Sequence, residues 1–400
     1  MPISAGGGAL SPRPLLFALM ASLPLFGVAA RATASAFVPT NDGQVLERLV
    51  SGPSRGALSL VRREREALGT RPRDLAVATD LARRYMALGR SEGDPRFYGF
   101  AQAALAPWWA LARPPVSVLL LRAQIRQAGH EFSPALADLD EVLRRDPEQA
   151  QAWLTRAMIL QTHGDYAQAQ RSCEKAASVG HAAGAGLVCL WSVRGLQGRA
   201  REAVRGLESA LGVRSTLGKE ERLWGLNVAA DLTRRLGAKD KAGRLYEHVL
   251  ALQPGDHFLL AAYADLLLDM NLEASIPPLL EPYRQNGNLL LRLALAERRL
   301  GRRGWKEDRG VLEAFFAASR LRGDIRHLRE EARFTLALQD APARALDLAL
   351  RNWSIQREPE DLRVLIESAL AARDSTALAT ARDWLRRTGL EDAEVRLLLK

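Results

Sequence analysis

The sequence has few of the residues from which catalytic and metal sites are built. Of its 400 residues, 2 are cysteine and 6 are histidine. It contains no CxxC pair, HExxH motif, phosphate-binding P-loop, GxGxxG turn or nucleophile elbow. No two histidines have the i, i+4 spacing that brings two metal ligands to one helix face. The sequence therefore predicts a non-catalytic protein without a cofactor or metal site.

The remaining titratable residues have no arrangement that indicates chemistry. We interpret all six histidines, His130 and His257 among them, as ordinary turn and surface residues. The acids at Glu330–Glu331 and at 138–141 are predicted to lie on solvated faces, because no partner makes either cluster look like a general acid and base.

Lysine is also rare, although the chain is basic. Lys and Arg total 56 against 46 Asp and Glu, a formal net charge of +10. The cations are mostly arginines interspersed with acids, as in 62–66, and no block of five like charges occurs. Nucleic-acid binding needs a continuous basic track with interleaved aromatic side chains. The sequence therefore predicts no appreciable binding to DNA or RNA.

The only long apolar run is close to the N-terminus. Residues 15–30 are apolar apart from Ser22, follow the single basic residue Arg13, and precede small residues up to Ala36. This order predicts a signal peptide over residues 1–36, cleaved after Ala36, and export to a bacterial periplasm. No later stretch reaches the roughly 18 uncharged apolar residues of a membrane span, so no stable span is predicted after cleavage. The alternative is an uncleaved N-terminal anchor helix.

What the sequence does contain is a repeat of 34 residues. Bulky, glycine, aromatic and alanine positions recur in register over three consecutive copies. They are Leu119, Phe132, Ala135 and Val142 in the first copy, Trp153, Gly164, Tyr166, Ala169 and Ala176 in the second, and Leu187, Gly198, Ala200, Ala203 and Ala210 in the third. This period and pattern resemble the tetratricopeptide repeat (TPR), a helix–turn–helix unit.

The resemblance implies an all-α fold, a right-handed α-solenoid of antiparallel helix pairs, in which each repeat contacts only its neighbours. Residues 37–71 are predicted to form a linker and an N-terminal capping helix, and residues 72–400 the TPR-like superhelix. The clearest repeats are 116–149, 150–183, 184–222 and 223–256, and the degenerate ones are 72–115, 257–287, 288–322, 324–360 and 361–392.

The two cysteines fall on adjacent helices when the repeats are laid over the family pattern. Cys173 lies in the second helix of 150–183, and Cys189 lies in the first helix of the next repeat. Because these helices are neighbours in such a stack, and the chain is predicted to be exported, we expect a disulfide bond. The alternative is a pair of buried thiols that pack as small hydrophobic side chains.

The resemblance also implies a concave groove lined by the first helices of successive repeats. An exposed Trp beside Asn and paired Arg suits an extended peptide and its carboxylate. The alternative is that the charged members only pair with one another across adjacent helices on a solvated face. The residues mapped onto the groove are Gln124, Gln127, Met158, Gln161, Trp224, Asn227, Asp231, Arg234, Arg235, Phe258, Asp265 and Asp269.

These expectations favour a non-catalytic periplasmic scaffold or adaptor that binds a protein or peptide in the groove, during assembly of an envelope or exported complex. The Lys and Asn arrangement of the chaperone-binding carboxylate clamp is absent, so that partner class is not implied. The alternative function is a structural subunit of an envelope complex, anchored in the membrane by the uncleaved N-terminal helix.

Overall fold

The computed structural model describes residues 55–400 as a series of α-helices. The predicted signal peptide and most of the predicted linker lie outside the described residues, which contain no β-strand. The helices are α1 (Arg55–Thr70), α2 (Leu75–Glu92), α3 (Arg96–Ala104), α4 (Ala106–Trp109), α5 (Val116–Ala128), α6 (Phe132–Arg145), α7 (Ala150–His163), α8 (Tyr166–Ser178), α9 (Ala183–Leu196), α10 (Ala200–Leu211), α11 (Lys219–Arg235), α12 (Lys239–Leu252), α13 (His257–Asp269), α14 (Ile276–Leu280), α15 (Gly287–Arg299), α16 (Trp305–Leu321), α17 (Leu328–Gln339), α18 (Pro342–Ile355), α19 (Pro359–Ala372), α20 (Ser375–Thr388) and α21 (Ala393–Leu398).

Consecutive helices form antiparallel pairs because short turns with suitable residues connect them. Helix α7 ends at Gly164, which adopts the left-handed conformation with φ of 86° that glycine tolerates best. Asp165 then caps α8, and its side chain accepts the backbone N–H of Gln168 at 3.1 Å. Gly198 and Gly237 also have positive φ after α9 and α11. The all-α, TPR-like solenoid of helix pairs is confirmed.

Helices α8 and α9, which belong to neighbouring repeats, approach each other closely. A Cβ added to Gly186 of α9 would lie 2.3 Å from the backbone nitrogen of Ala177 on α8, so only glycine fits there. In the same contact Cys173 and Cys189 form a disulfide bond with a Cα–Cα distance of 5.4 Å, and both side chains are fully buried. The predicted disulfide is confirmed, and the alternative of two free thiols is wrong.

The pair that begins with α13 has a very short second helix. Helix α14 is five residues long and has prolines in its first turn, where a missing N–H is tolerated. Pro282 follows one residue after α14, and because it has no backbone N–H it cannot continue the α-helical hydrogen-bond pattern. The chain therefore returns to α15 through a brief 3-10 turn.

The C-terminal helices pack against repeats that lie far away in the sequence. Trp384 of α20 contacts Gly164 in the turn after α7, and Gly389 contacts Gly198 in the turn after α9. The backbone N–H of Arg357 donates to the carbonyl of Thr162 at 2.7 Å. The expectation that each repeat contacts only its neighbours is therefore wrong. One hydrophobic core runs through α7–α9 and α17–α21 because the two ends of this segment meet.

Within residues 55–400, no single helix is long and apolar enough to cross a membrane. One bent pair, Tyr166–Ser178 with Gly180–Leu196, meets the length and composition criteria jointly, with an angle of 115° between its members. Both members contribute buried side chains to the core just described.

Candidate functional site

A central cavity of about 670 Å³ lies among the first helices of the repeats. Residues of α2, α5, α7, α11, α13, α15, α17 and the start of α19 line it, together with Tyr98 of α3, Phe132 of α6 and Tyr246 of α12. On one side the cavity is bounded by Gly93, which follows α2 and contacts the side chains of His257 and Asn286. The volume lies in the range of about 300–1,000 Å³ that is usual for ligand pockets. A cavity, and not a fully open groove, is therefore available to a partner.

Half of the residues mapped onto the groove line this cavity. They come from three different helices, α5, α11 and α13, which are separated by up to 138 positions in the chain and share one surface. The structure brings together Gln127, Asn227, Asp231, Arg234, Phe258 and Asp265.

The other mapped residues lie outside the cavity lining. Gln124 is half-buried on α5, and Met158 is exposed on α7. Gln161 accepts a hydrogen bond from the Ser192 hydroxyl at 2.9 Å, which ties α7 to α9. Trp224 packs half-buried between two hydrophobic clusters. The indole is therefore part of the packing between repeats and is not an open binding anchor.

The paired arginines at the end of α11 are buried and hold other parts of the chain. Arg234 bonds Asp231 at 3.1 Å and makes a short ion pair with Glu360 at the start of α19. Arg235 bonds Asp231 at 3.0 Å and donates to the carbonyl of Gly195. Pairing within the chain is thus what the structure shows for both guanidinium groups. However, the pairing does not occur on a solvated face, because both arginines are more than nine-tenths buried.

The two aspartates of α13 are also paired, with opposite effects on their pKa values. Burial favours the neutral form of Asp265, but Arg292 at 2.8 Å and Arg333 at 2.6 Å hold its pKa below the usual range. For Asp269, burial has the larger effect and raises the pKa, although Arg363 lies 2.8 Å away. Asp265 is therefore a fixed anion at the cavity wall, whereas Asp269 anchors the C-terminal repeat.

Carboxylates supply the charge that a ligand in the cavity meets. The side chains of Asp231, Glu358 and Glu360 are 39%, 40% and 38% exposed, whereas those of Arg234 and Arg292 are each 8% exposed. All five line the cavity. Arg326 and Arg329, each 25% exposed, also line the cavity, and both are paired with carboxylates. Carboxylates outnumber guanidinium groups in the lining, so the cavity is acidic in a protein with a net charge of +10.

At the start of α19, burial and a neighbouring carboxylate change the pKa of Glu358, which lines the cavity. Burial, assisted by the neighbouring Asp361 carboxylate, raises the pKa of Glu358 to about 7. Arg329, whose guanidinium lies 3.2 Å from Glu358, and the Thr162 hydroxyl at 3.3 Å are its hydrogen-bond donors. One guanidinium thus faces several carboxylates at this point of the cavity.

Three histidines line the cavity, so the interpretation of these side chains as surface residues is wrong, although His130 does lie in the turn after α5. Burial, with Arg329 nearby, lowers the pKa of His130 to about 4, and burial also lowers the pKa of His257 and of His327. All three are therefore neutral near pH 7. No sequence signal indicates this grouping, because the three histidines come from different repeats. In the described residues, no group of three His, Cys, Asp or Glu is arranged to hold a metal ion.

Several polar atoms at the cavity wall have no hydrogen-bond partner among the described residues. They include Nδ1 of His130, Nε of Arg234 and Oδ1 of Asn288, all buried from bulk solvent. The side-chain amides of Gln127 and Asn227 likewise have no protein partner in residues 55–400. Because buried polar atoms are normally satisfied, these donors and acceptors are available to a ligand or to water.

Two acid clusters that were expected on solvated faces are partly buried instead. Glu331 is 3% exposed and is paired with Arg344 at 3.2 Å, and Glu330 is also buried. Asp138 is 5% exposed and receives two arginines from α5, Arg122 and Arg126. Each carboxylate can be buried because a guanidinium from a neighbouring helix neutralises it.

Comparisons with known proteins give similarity to solved structures only. No family model matches the chain, and no curated protein matches it. The APC/C hetero-tetramer Cut9–Hcn1 is 13% identical over 78% of this chain and 52% of that chain, with a TM-score of 0.43. Human IFIT1, in a dimer with PPP-AAAA, is 14% identical over 84% and 95%, with a TM-score of 0.45. PilW, a type IV pilus biogenesis factor, is 16% identical over 71% and 98%, with a TM-score of 0.31.

The chain's own helix pairs define its class, which is a TPR-like α-solenoid. This chain spans about half of the length of the Cut9–Hcn1 chain that it matches. The chemistry of the cavity is therefore inferred from the residues of this chain alone, and not from the similar structures.

Proposed function

We propose that this protein is a non-catalytic scaffold that binds a segment of a partner protein, or a peptide, in its central cavity. The observation that carries the proposal is the convergence of six mapped groove residues, from α5, α11 and α13, on one cavity. A volume of about 670 Å³ admits a short extended segment and excludes a folded domain. We further propose that the scaffold acts in the periplasm, during assembly of an envelope or exported complex.

The free amides of the cavity support recognition of a polypeptide backbone. Gln127 and Asn227 each offer an N–H donor and a carbonyl acceptor, and Asn288 offers an unpartnered Oδ1. An extended peptide presents both groups at every residue, so a wall of amides can bond it without reading its side chains. Phe258, which is 72% exposed at the cavity, adds an apolar contact.

The accessible acidity of the cavity supports the prediction that nucleic acid is not the partner. A phosphate backbone needs exposed, unpaired cations. Here Arg234 and Arg292 are buried, and the more exposed Arg326 and Arg329 are already paired with carboxylates. We propose that any oligonucleotide binding is non-specific and falls steeply as the salt concentration rises. Tight, salt-resistant binding of a labelled oligonucleotide would contradict this.

Selection from a random peptide-display library tests the cavity as the binding site. Ala262 lies on the cavity face of α13, so Ala262→Trp fills the cavity, whereas Ala251→Trp places the same ring on the exposed surface of α12. We expect peptides selected on the unmodified protein to bind Ala251→Trp equally and Ala262→Trp at least about tenfold more weakly. Equal binding to both variants overturns the assignment of the site.

N-terminal sequencing of the exported protein tests the location and the alternative function. A mature chain that begins at Phe37 supports a cleaved signal peptide and a free periplasmic scaffold. A chain that keeps residues 1–36 and sediments with membranes supports the alternative, an anchored structural subunit of an envelope complex.

A further inference from the structure

We propose that the cavity selects a segment that carries a basic side chain, a lysine or an arginine, and that this side chain sits among Asp231, Glu358 and Glu360. This inference rests on the proposed function, and it specifies the chemistry of the partner. Asp231 belongs to α11, and Glu358 and Glu360 lie at the start of α19. The two helices meet at the cavity, where Arg234 of α11 pairs with Glu360.

Exposure determines which charges a ligand meets. The three carboxylates line the cavity and keep 38–40% of their side-chain surface accessible. By contrast, the guanidinium groups of Arg234 and Arg292 are 8% exposed and are already paired with Asp231, Glu360 and Asp265. Arg326 and Arg329 are 25% exposed, but Arg326 is paired with Asp324, and Arg329 is shared among three carboxylates. An incoming cation therefore finds accessible oxygen acceptors, whereas an incoming anion finds guanidinium groups that are buried or already paired.

Arg329 does not neutralise the acids that surround it. Its guanidinium lies 3.1 Å from Glu330, 3.2 Å from Glu358 and 3.3 Å from Asp361, so three carboxylates share one positive charge. Burial, and next the Asp361 charge, raises the pKa of Glu358 to about 7 although Arg329 opposes the shift. An ammonium or a second guanidinium in the cavity would favour the ionised form of this carboxyl.

A second feature of the wall fits the backbone on either side of such a residue. The side-chain amides of Gln127 and Asn227, half-buried at the cavity, have no protein partner among residues 55–400. Their N–H groups fit a peptide carbonyl, and their oxygens fit a peptide N–H. Aromatic rings of Tyr98 and Phe132 also line the cavity, and a cation over such a ring gains further attraction.

Non-specific attraction cannot imitate this preference. The whole chain carries +10, so its overall field repels lysine-rich peptides and attracts acidic ones. Binding of a cationic peptide in preference to an anionic one therefore reports a local acidic site.

Fluorescence anisotropy with three labelled octapeptides, (Gly-Lys)4, (Gly-Gln)4 and (Gly-Glu)4, tests the inference on the full exported chain. We expect the lysine peptide to bind about tenfold more tightly than the glutamine peptide, and the glutamate peptide to bind most weakly. Glu358→Gln, which keeps the side-chain oxygen near Thr162, should weaken lysine-peptide binding about fivefold. The matched control Asp240→Asn removes one exposed carboxylate on α12 and should leave binding unchanged.

The outcomes separate this inference from the proposed function. Equal binding of the lysine and glutamine peptides, or tightest binding of the glutamate peptide, overturns the basic preference but leaves a peptide scaffold. If none of the three peptides binds while library-selected peptides do, the inference is again overturned and the function stands. An equal loss of lysine-peptide binding in Glu358→Gln and Asp240→Asn also overturns it, because the effect is then one of total charge.

Discussion

Trp384 is the side chain through which the C-terminal repeat packs on the central repeats. Its ring lies 5.9 Å from that of Tyr166 and 5.3 Å from that of Trp353, measured between centroids, and it is 5% exposed. It also covers Gly164, where any Cβ would lie 2.3 Å from the indole. One buried indole therefore joins parts of the chain that are about 200 residues apart.

Replacing Trp384 with alanine should strongly destabilise the protein. Removal of a buried indole typically costs about 3–5 kcal/mol through lost burial and the cavity that remains. Phe258→Ala is the matched control, because this ring is 72% exposed and its removal should change the free energy of unfolding by less than about 0.5 kcal/mol. Urea unfolding followed by circular dichroism measures both. Equal stability of the two variants would mean that the repeats do not meet in solution.

Glu358 should make stability depend on pH near neutrality. Its pKa is about 7 in the folded state and 4.5 for an ordinary glutamate, so folding takes up a proton between these values. Stability from this group is therefore present at low pH and is lost as pH rises from about 4.5 to 7. Glu330 and Asp324, whose pKa values are lowered to about 2, contribute stability that is constant over this window.

The variant Glu358→Gln isolates this effect because glutamine is neutral at every pH. We expect it to match the unmodified protein in stability at pH 5 and to exceed it at pH 8. The measurement is the urea midpoint at pH 5, 6, 7 and 8. A constant difference between the two proteins over this range would contradict the raised pKa of Glu358.

At the scale of helices, the contact between α8 and α9 depends on the absence of one side chain. A Cβ on Gly186 would lie 2.3 Å from the Ala177 nitrogen and 2.4 Å from its Cα, so backbone atoms would have to move. The disulfide between Cys173 and Cys189 holds the same two helices together. A helix pair of this kind cannot separate to relieve a steric clash.

Gly186→Ala should lower the free energy of unfolding by about 1–3 kcal/mol, the usual cost of overpacking. Gly310→Ala is the matched control, since Gly310 is exposed within α16 and a Cβ added there would meet no atom within 4 Å. That substitution should stabilise the protein by about 0.5–1 kcal/mol, because alanine is the better helix former. Thermal unfolding with the disulfide intact measures both changes, and equal signs would contradict the close approach.

At the scale of the whole molecule, ion pairs join helices that are far apart in the sequence. Arg363 of α19 bonds Asp269 of α13 at 2.8 Å over a separation of 94 residues, and Arg333 bonds Asp265 at 2.6 Å. The raised pKa of Asp269 shows that its pairing does not fully offset the cost of burial. We infer that the Arg363–Asp269 pair fixes the position of α19 on α13 and adds little to the free energy of unfolding.

The variant Arg363→Met should therefore be less stable than the double variant Asp269→Leu/Arg363→Met. The single change leaves the Asp269 carboxylate buried with Arg234 at 3.8 Å, which costs about 3–5 kcal/mol. The double change removes both charges and leaves only the partly exposed Glu367 without its Arg363 partner, so it should recover most of this loss. Arg386→Met breaks an exposed pair with Asp383 and should cost less than about 1 kcal/mol. Urea unfolding of all four proteins completes the comparison, and a double variant no better than the single one would refute it.

The sequence by itself determined the local architecture. A glycine and a capping aspartate at Gly164–Asp165 end one helix and begin the next, and small residues recur every 34 positions. These signals act over a few residues or one repeat, so their spacing is enough to predict the helix pairs. The Cys173–Cys189 bond was predictable for the same reason, because it joins neighbouring helices.

Only the tertiary structure decided that the concave surface forms a cavity and not a fully open groove. Glu360 meets Arg234 across 126 positions, and Trp384 meets Gly164 from a still more distant part of the chain. The small rotation from each repeat to the next accumulates along the chain, and it sets whether distant repeats touch. No local pattern encodes that sum. For this reason the sequence could propose the groove residues, half of which line the cavity, whereas their burial, the three histidines and the acidic cavity could not be predicted.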